Sequence, residues 1–204
     1  MRVLTSYHSI RIQLVAAISA GICLFTQPAM AQSQTQMQAR ALLENYTPVT
    51  LEELANPPAG DWLMWRGTPN HWAYSQLDQI NKDNVDSLRL AWSWTMEPGK
   101  QETTPLVHDG IMFLPQACDF IEAVDATNGT PLWEYRRATV DHVAPLSCAN
   151  RNGTLYKDQL LIATRDAFIV SLNAVSGEVT WEREIGDWTV GQHYSGGPQV
   201  FNGK

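Results

Sequence analysis

The chain has 204 residues and a formal net charge of −7 at pH 7. This acidic balance, with no prominent cluster of basic residues, argues against a nucleic-acid partner. Eight tryptophans in a chain of this length favour an aromatic-rich β architecture over a helical one.

Residues 1–31 have the features of a secretory signal peptide. The start is positively charged, the segment 12–25 is apolar, and Ala29-Met30-Ala31 is a small-x-small cleavage site. We therefore expect cleavage after Ala31 and export to a bacterial periplasm. The apolar segment is too short to be a preferred membrane span, so no membrane span is expected after signal removal. Cys23 follows a bulky residue, which disfavours a lipid anchor.

Residues 32–60 are polar at first and then show helical character around 39–45 and 50–55. A proline pair, Pro57-Pro58, ends the second stretch. The sequence indicates a tethering role for this segment, ahead of the domain that it predicts over residues 61–204.

The segment Leu88–Trp94 alternates apolar and polar residues, as a strand does. It resembles the last strand of a four-stranded module whose first three strands are missing here. A ring closed by pairing this strand with a C-terminal module would explain the arrangement.

A duplicated stretch organises the rest of the chain. Residues 111–133 align without a gap with residues 159–181, an offset of 48 residues, and a tryptophan ends each copy (Trp133 and Trp181). Each copy has two short apolar segments, a glycine-containing turn suited to a tight hairpin, and a further segment that carries the tryptophan. Self-similarity at such a period is typical of solenoids, propellers and arrays.

We interpret each copy, with the strand before it, as a four-stranded antiparallel blade whose tryptophan packs between neighbours. The sequence therefore predicts an all-β fold, a partial β-propeller of about two blades plus a closing strand. The alternative is a flat meander with a coincidental tryptophan, which explains the ungapped double match poorly.

The repeat also predicts a ligand site. Extended backwards, it places Glu102 opposite Asn150, and the start of a third copy places Ser195 at the same position. The innermost strands of a propeller start on one face, so Glu102, Arg151 beside Asn150, and Ser195 would surround an axial pocket. An acid, a guanidinium and a hydroxyl suit a polyanionic, hydrogen-bonding ligand. The alternative is that these are ordinary solvated loop residues.

From Asp61 onwards the chain resembles the N-terminal part of the pyrroloquinoline quinone (PQQ)-dependent alcohol dehydrogenases, and this resemblance covers nearly all of the mature chain. The opening Asp61-Trp62-x-x-Trp65-x-Gly67, the following Tyr74-Ser75-x-Leu77-x-Gln79-Ile80-Asn81 and the segments ending at Trp133 and Trp181 are similar to the family's opening signature and tryptophan-docking motifs. The resemblance implies an eight-bladed periplasmic propeller that oxidises small-molecule alcohols by hydride transfer to PQQ. It further implies calcium as Lewis acid, a carboxylate base, and a cytochrome or quinone as electron acceptor.

Carried over onto the matching positions, the resemblance implies that Glu102, Arg151 and Ser195 contact PQQ. Ser195 stands where the family has a threonine. Many family members have two adjacent cysteines over the cofactor, but this chain has Ser147-Cys148, so that ring cannot form. His193 is a further candidate to line the site, although a loop histidine is more often solvated.

The topology suggests a different cysteine pair. Cys118 lies in the predicted loop between the second and third strands of its blade, and Cys148 lies in the crossover to the next blade. Both loops belong to the face where first strands start, so the two cysteines are expected near each other, in a compartment where disulfides persist. The alternative is two separate small side chains, and a Cα separation above about 7 Å would exclude the bond.

The resemblance implies a protein of several hundred residues. In the family, the calcium ligands and the catalytic aspartate lie beyond the position that matches Lys204. We therefore expect this chain to be a fragment that supplies cofactor contacts and is inactive alone.

Two other functions stay open at this point. Propellers with the same tryptophan repeat serve as non-enzymatic scaffolds for outer-membrane assembly, which need no axial glutamate or arginine. A sugar dehydrogenase of the same superfamily is the third candidate, because the sequence does not separate it from an alcohol dehydrogenase.

Overall fold

The structure is a computed structural model that describes residues 34–138, 148–151 and 153–204. The predicted signal peptide lies outside these residues. The chain divides into two compact units, 1–38 and 39–204, and the described part of the first unit is helical. No helix in the described ranges is long and apolar enough to cross a membrane.

Two helices form close to where the sequence predicted helical character. Helix α1 covers residues 34–44 and helix α2 covers Leu51–Ala55. The second begins with a capping box, in which the Thr50 side chain accepts from the Glu53 backbone N–H and the Glu53 carboxylate accepts from the Thr50 N–H. This reciprocal bonding satisfies two donors that a helix start otherwise leaves free.

Two four-stranded antiparallel sheets form the body of the second unit, with strands in sequential order. The first contains β1 Leu106–His108, β2 Ile111–Gln116, β3 Phe120–Asp125 and β4 Pro131–Arg136. The second contains β5 Thr154–Tyr156, β6 Gln159–Ala163, β7 Phe168–Asn173 and β8 Val179–Glu184. Each strand of the second sheet begins 48 residues after its counterpart, as the pairs 106 and 154 or 131 and 179 show. The predicted all-β architecture of repeated four-stranded blades is therefore confirmed.

A tryptophan from one module packs on the β3–β4 or β7–β8 turn of the next. Trp133 covers Gly177, which has a φ of 73°, and its indole N–H donates to a backbone carbonyl 2.9 Å away. A Cβ atom on Gly177 would lie 2.6 Å from the Trp133 ring. Trp92 covers Gly129 in the same way, and its N–H donates to a carbonyl at 3.1 Å. Glycine is required at both turns because the ring occupies the space of a side chain.

The segment Leu88–Trp94 is not a strand, and that prediction is wrong. A strand needs a hydrogen-bonded neighbour, and the described residues provide none for this segment. Trp92 nevertheless docks on the first blade, and the Trp94 indole N–H donates to Glu122 Oε2 at 2.9 Å. The segment therefore lies where the last strand of a preceding blade would lie, without the ladder that defines one.

The hydrophobic core joins both sheets to the N-terminal segment. Its buried members include Phe113, Ile121, Leu160, Ile162 and Leu172 from the sheets, and Val49, Leu54, Leu63 and Met64 from the segment before them. Val49 also pairs with Lys157 in an antiparallel bridge. The sequence indicated only a tether over residues 32–60, but the structure places part of this segment in the core.

His108, at the end of β1, ties the N-terminal segment to the first sheet. Its Nδ1 lies 2.7 Å from Asp61 Oδ2, and its Nε2 lies 2.8 Å from the Thr47 carbonyl oxygen and 3.4 Å from Asp109 Oδ2. Burial by itself would lower the pKa of His108, but the Thr47 carbonyl and the two carboxylates raise it above its ordinary value. Because both ring nitrogens face acceptors, the site favours the imidazolium form.

An ion cluster joins the outer end of the first blade to the second. Arg137 Nε donates to both carboxylate oxygens of Asp166 at 2.8 Å, and Nη1 donates to Glu182 at 2.8 Å. The guanidinium also lies 4.7 Å from the centre of the Phe168 ring. The Arg137 and Asp166 side chains are only 9% and 11% exposed, so this pair is largely removed from water.

Candidate functional site

The starts of three successive modules meet at one place. Arg151 Nη2 lies 2.6 Å from Glu102 Oε2, and Arg151 Nη1 donates to Ser195 Oγ. The backbones are joined as well, since the Arg151 N–H donates to the Ser195 carbonyl at 2.8 Å and the Thr104 N–H donates to the Arg151 carbonyl at 2.7 Å. The structure thus brings the three predicted side chains together, while their contact with a cofactor stays a prediction.

The charges of this cluster are mixed. Lys100 Nζ lies 2.5 Å from Glu102 Oε1. The hydrogen bond from Lys100 and the charge of Arg151 lower the pKa of Glu102, so this carboxyl is ionised at neutral pH. Two cations therefore face one anion, and the cluster keeps a net positive charge. The Arg151 and Glu102 side chains are 44% and 25% exposed, so a ligand can reach both.

Asn150, which the repeat pairs with Glu102, does not reach the cluster. It is 1% exposed, and its Nδ2 donates to Asp119 Oδ1 at 3.3 Å. Its Oδ1 is buried and has no hydrogen-bond partner among the described residues. Arg151, one position later, is the residue whose side chain meets Glu102.

Asp119 and Arg165 lie next to this cluster, and the sequence did not reveal them. Asp119 is 1% exposed, and its Oδ2 accepts from the Arg165 backbone N–H at 3.0 Å and from Nε at 3.3 Å. Burial raises the pKa of Asp119, and the bonds from Arg165 and Asn150 oppose that rise. The two residues lie between β2 and β3 and between β6 and β7, which are equivalent loops. The offset of 48 pairs Asp119 with Ala167, so no repeated residue marks the contact.

Cys118 and Cys148 form a disulfide beside the cluster, with a Cα separation of 4.3 Å. The Cys118 N–H also donates to the Cys148 carbonyl at 2.7 Å. Arg165 Nη1 lies 3.1 Å from Cys148 Sγ. Ser147, which precedes Cys148, lies outside the described residues.

His193 and a metal site were further candidates. His193 lies in an exposed loop, where its Nδ1 is 3.2 Å from the Gly191 carbonyl oxygen. Within the described ranges, no group of three or more His, Cys, Asp or Glu side chains is placed to hold a metal ion.

Comparison with known proteins gives one consistent result. The model of the PQQ family, described as the glucose/ethanol/alcohol dehydrogenase β-propeller domain, matches residues 62–183. The 1-butanol dehydrogenase (quinone) of Thauera butanivorans is 36% identical over 161 residues, which are 76% of this chain and 26% of that protein. The quinoprotein ethanol dehydrogenase of Pseudomonas aeruginosa is 32% identical over 158 residues, 74% of this chain and 25% of that protein. The chain thus spans about a quarter of the length of these curated relatives.

Solved structures agree with the sequence comparison. The quinohemoprotein alcohol dehydrogenase ADHIIG of Pseudomonas putida HK5 superposes with a TM-score of 0.73 at 27% identity, over 78% of this chain and 24% of that one. A europium-containing methanol dehydrogenase superposes with a TM-score of 0.68 at 29% identity, over 74% of this chain and 28% of that one.

Proposed function

The chain belongs to the PQQ family of glucose/ethanol/alcohol dehydrogenase β-propellers, and we propose that it supplies part of the cofactor site of a periplasmic PQQ-dependent dehydrogenase that oxidises alcohols. The observation that carries this proposal is the meeting of Glu102, Arg151 and Ser195 at the starts of three modules. The periplasmic location rests on the signal-like pattern of residues 1–31.

The chemistry of these side chains suits PQQ, which carries carboxylates, carbonyl oxygens and a ring N–H. Glu102 and Ser195 engage two of the five guanidinium donors of Arg151, and the other donors are suited to a carboxylate or a carbonyl. The ionised Glu102 can accept from an N–H group, and the Ser195 hydroxyl can donate or accept. The net positive charge that Lys100 gives the cluster favours a polyanionic ligand.

The role of this chain in the reaction is to bind and orient the cofactor. When bound, PQQ accepts the hydride of the alcohol carbon. We propose calcium as the accompanying metal, with its ligands and the aspartate base beyond residue 204. A lanthanide is the alternative metal, because one structural relative is a europium-containing methanol dehydrogenase. A cytochrome or a quinone would receive the electrons, in keeping with the quinone and quinohemoprotein types among the relatives.

Further blades are part of the proposal. Trp181 is the counterpart of Trp133, yet it is 42% exposed, and all six residues of β8 are exposed. Since Trp133 docks on the turn of the following blade, a third blade is the partner that Trp181 would meet.

The test is reconstitution of the whole gene product with PQQ and either calcium or a lanthanide. We expect retained quinone absorbance and dye reduction with primary alcohols. Arg151→Lys keeps the charge but loses the planar fork, and it should weaken PQQ binding by about tenfold or more. Arg40→Lys is the matched control, because Arg40 forms an exposed pair with Glu44 on α1.

Three outcomes would contradict the proposal in different ways. Absence of bound quinone together with no dye reduction by alcohols, aldehydes or sugars would remove the enzyme and leave the scaffold. Activity with sugars alone would identify a sugar dehydrogenase. Equal PQQ binding by Arg151→Lys and Arg40→Lys would remove Arg151 from the site.

A further inference from the structure

The short segment that carries Arg151 is held from one side by a set of residues that make no contact with Glu102 in the described structure. We call this set the Arg151 platform, and it consists of Cys118, Asp119, Cys148 and Asn150. The disulfide joins Cys118 to Cys148, three residues before Arg151. The Cys118 N–H donates to the Cys148 carbonyl at 2.7 Å, and Asp119 accepts from Asn150 Nδ2 at 3.3 Å.

The backbone of the platform adopts an unusual conformation. Cys118 and Asp119 are consecutive non-glycine residues in the left-handed region, with φ values of 61° and 57°. Such residues are energetically costly and persist only where their surroundings impose the conformation. Here the conformation turns the Asp119 carboxylate into the protein, where it meets Asn150 and Arg165. A costly turn that holds a neighbouring segment indicates a positioning role rather than a simple connection.

The opposite side of the same segment faces the candidate cofactor site. The Arg151 N–H and carbonyl bond to the backbones of Ser195 and Thr104, and its guanidinium meets Glu102. The rotamer freedom of an arginine side chain is large, so the direction of the guanidinium depends on how firmly its backbone is fixed. The platform supplies the third direction of restraint, beside the backbone bonds on the two flanking segments.

We propose that the Cys118–Cys148 disulfide and Asp119 are positioning residues that hold Arg151 in its cofactor-binding orientation, so that reduction of this disulfide weakens PQQ binding. The inference rests on the proposed function. A dithiol reductant would supply two electrons and two protons, the Sγ–Sγ bond would break into two thiols, and the dithiol would become a disulfide. Both cysteines are partly exposed, so a small reductant can reach the bond.

The first experiment is a cycle of PQQ affinities, measured on the whole protein by quenching of tryptophan fluorescence. Four proteins are compared: the parent, Arg151→Ala, the pair Cys118→Ser with Cys148→Ser, and the combination of all three. We expect about a tenfold loss from Arg151→Ala and a smaller loss from the cysteine pair. The combined variant should bind within about twofold of Arg151→Ala alone, because coupled residues are not additive. Asp119→Ala should behave as the cysteine pair does.

The cycle separates the two levels of the proposal. If the losses from Arg151→Ala and from the cysteine pair multiply, or if the cysteine pair lowers the melting temperature and leaves affinity unchanged, the platform has only a structural role and the inference is wrong. If Arg151→Ala itself leaves the affinity unchanged, the proposed function of Arg151 fails as well.

A second experiment needs no variant and decides the matter if the serine pair does not fold. The oxidised parent is reduced with dithiothreitol, the reductant is removed, and the new thiols are counted and capped before PQQ is added. Affinity should fall by severalfold, and an uncapped aliquot that is reoxidised should regain it. Full thiol formation with unchanged affinity would overturn the inference.

Discussion

The docking of Trp133 on Gly177 predicts a large cost for Gly177→Ala. The glycine has a φ of 73°, and a Cβ atom there would lie 2.6 Å from Cε3 of Trp133. An alanine in the left-handed region costs about 1–2 kcal/mol, and forcing extra volume into a packed contact costs about 1–3 kcal/mol more. Together these give a destabilisation of about 2–5 kcal/mol, because the indole must move or its bond to the Ala174 carbonyl must lengthen.

Gly191→Ala is the matched control for this prediction. Gly191 has a φ of 86°, but a Cβ atom there would have no neighbour within 4 Å, so only the backbone cost of about 1–2 kcal/mol applies. Urea denaturation followed by circular dichroism gives both free energies of unfolding, and tryptophan fluorescence reports the environment of Trp133. Equal destabilisation by the two substitutions would refute the idea that the indole fills the space above Gly177.

Three further predictions follow from buried polar and aromatic contacts. Arg137→Ala leaves the largely buried Asp166 carboxylate without its partner, so we expect a loss of about 3–5 kcal/mol in urea denaturation, and a loss below 1 kcal/mol would contradict it. The raised pKa of His108 means that its contribution to stability is complete below its ordinary pKa of 6.5 and is lost as the pH rises through the higher folded value. Urea midpoints of the parent should therefore fall between pH 6 and 9 relative to those of His108→Gln, whose partner Asp61 is unchanged, and parallel pH profiles would show that the site does not favour the imidazolium. Trp92→Ala should cost about 3–5 kcal/mol if the segment that carries it docks on the first blade, whereas a negligible change in melting temperature would mean that the segment is not docked.

The repeat made the sheets predictable from the sequence. A fixed offset of 48 residues relates every strand of one blade to a strand of the next, so recognising one blade located the other. It also located the meeting of Glu102 and Ser195, because equivalent starts of inner strands lie on one face. The strand predicted over Leu88–Trp94 failed because alternation describes which side chains face the core, whereas strand pairing depends on a neighbour. Trp92 follows the alternation and is half-buried, although no ladder accompanies it.

The contacts beside the site were beyond the reach of the sequence. Asp119 and Arg165 meet through two loops that the repeat places on one face, but their residues differ between copies and neither pairs with itself at the offset. The burial of Val49 in the core was also hidden, since its neighbours are polar and its partner, Lys157, is more than 100 residues away. Long-range contacts of this kind carry no periodic signal.

The differences between the copies are what make the axial site chemically useful. A perfect repeat would place like side chains at every blade start, and several glutamates or several arginines at 2.6 Å spacing would repel one another. The chain instead presents an acid, a guanidinium and a hydroxyl, so Glu102 and Arg151 orient each other and still leave donors for a ligand. Tryptophan is kept at the blade ends because each indole meets the same kind of glycine turn. Packing between blades therefore requires sameness, whereas recognition at the axis requires difference, and a ligand site in such a fold is to be sought where aligned positions disagree in charge.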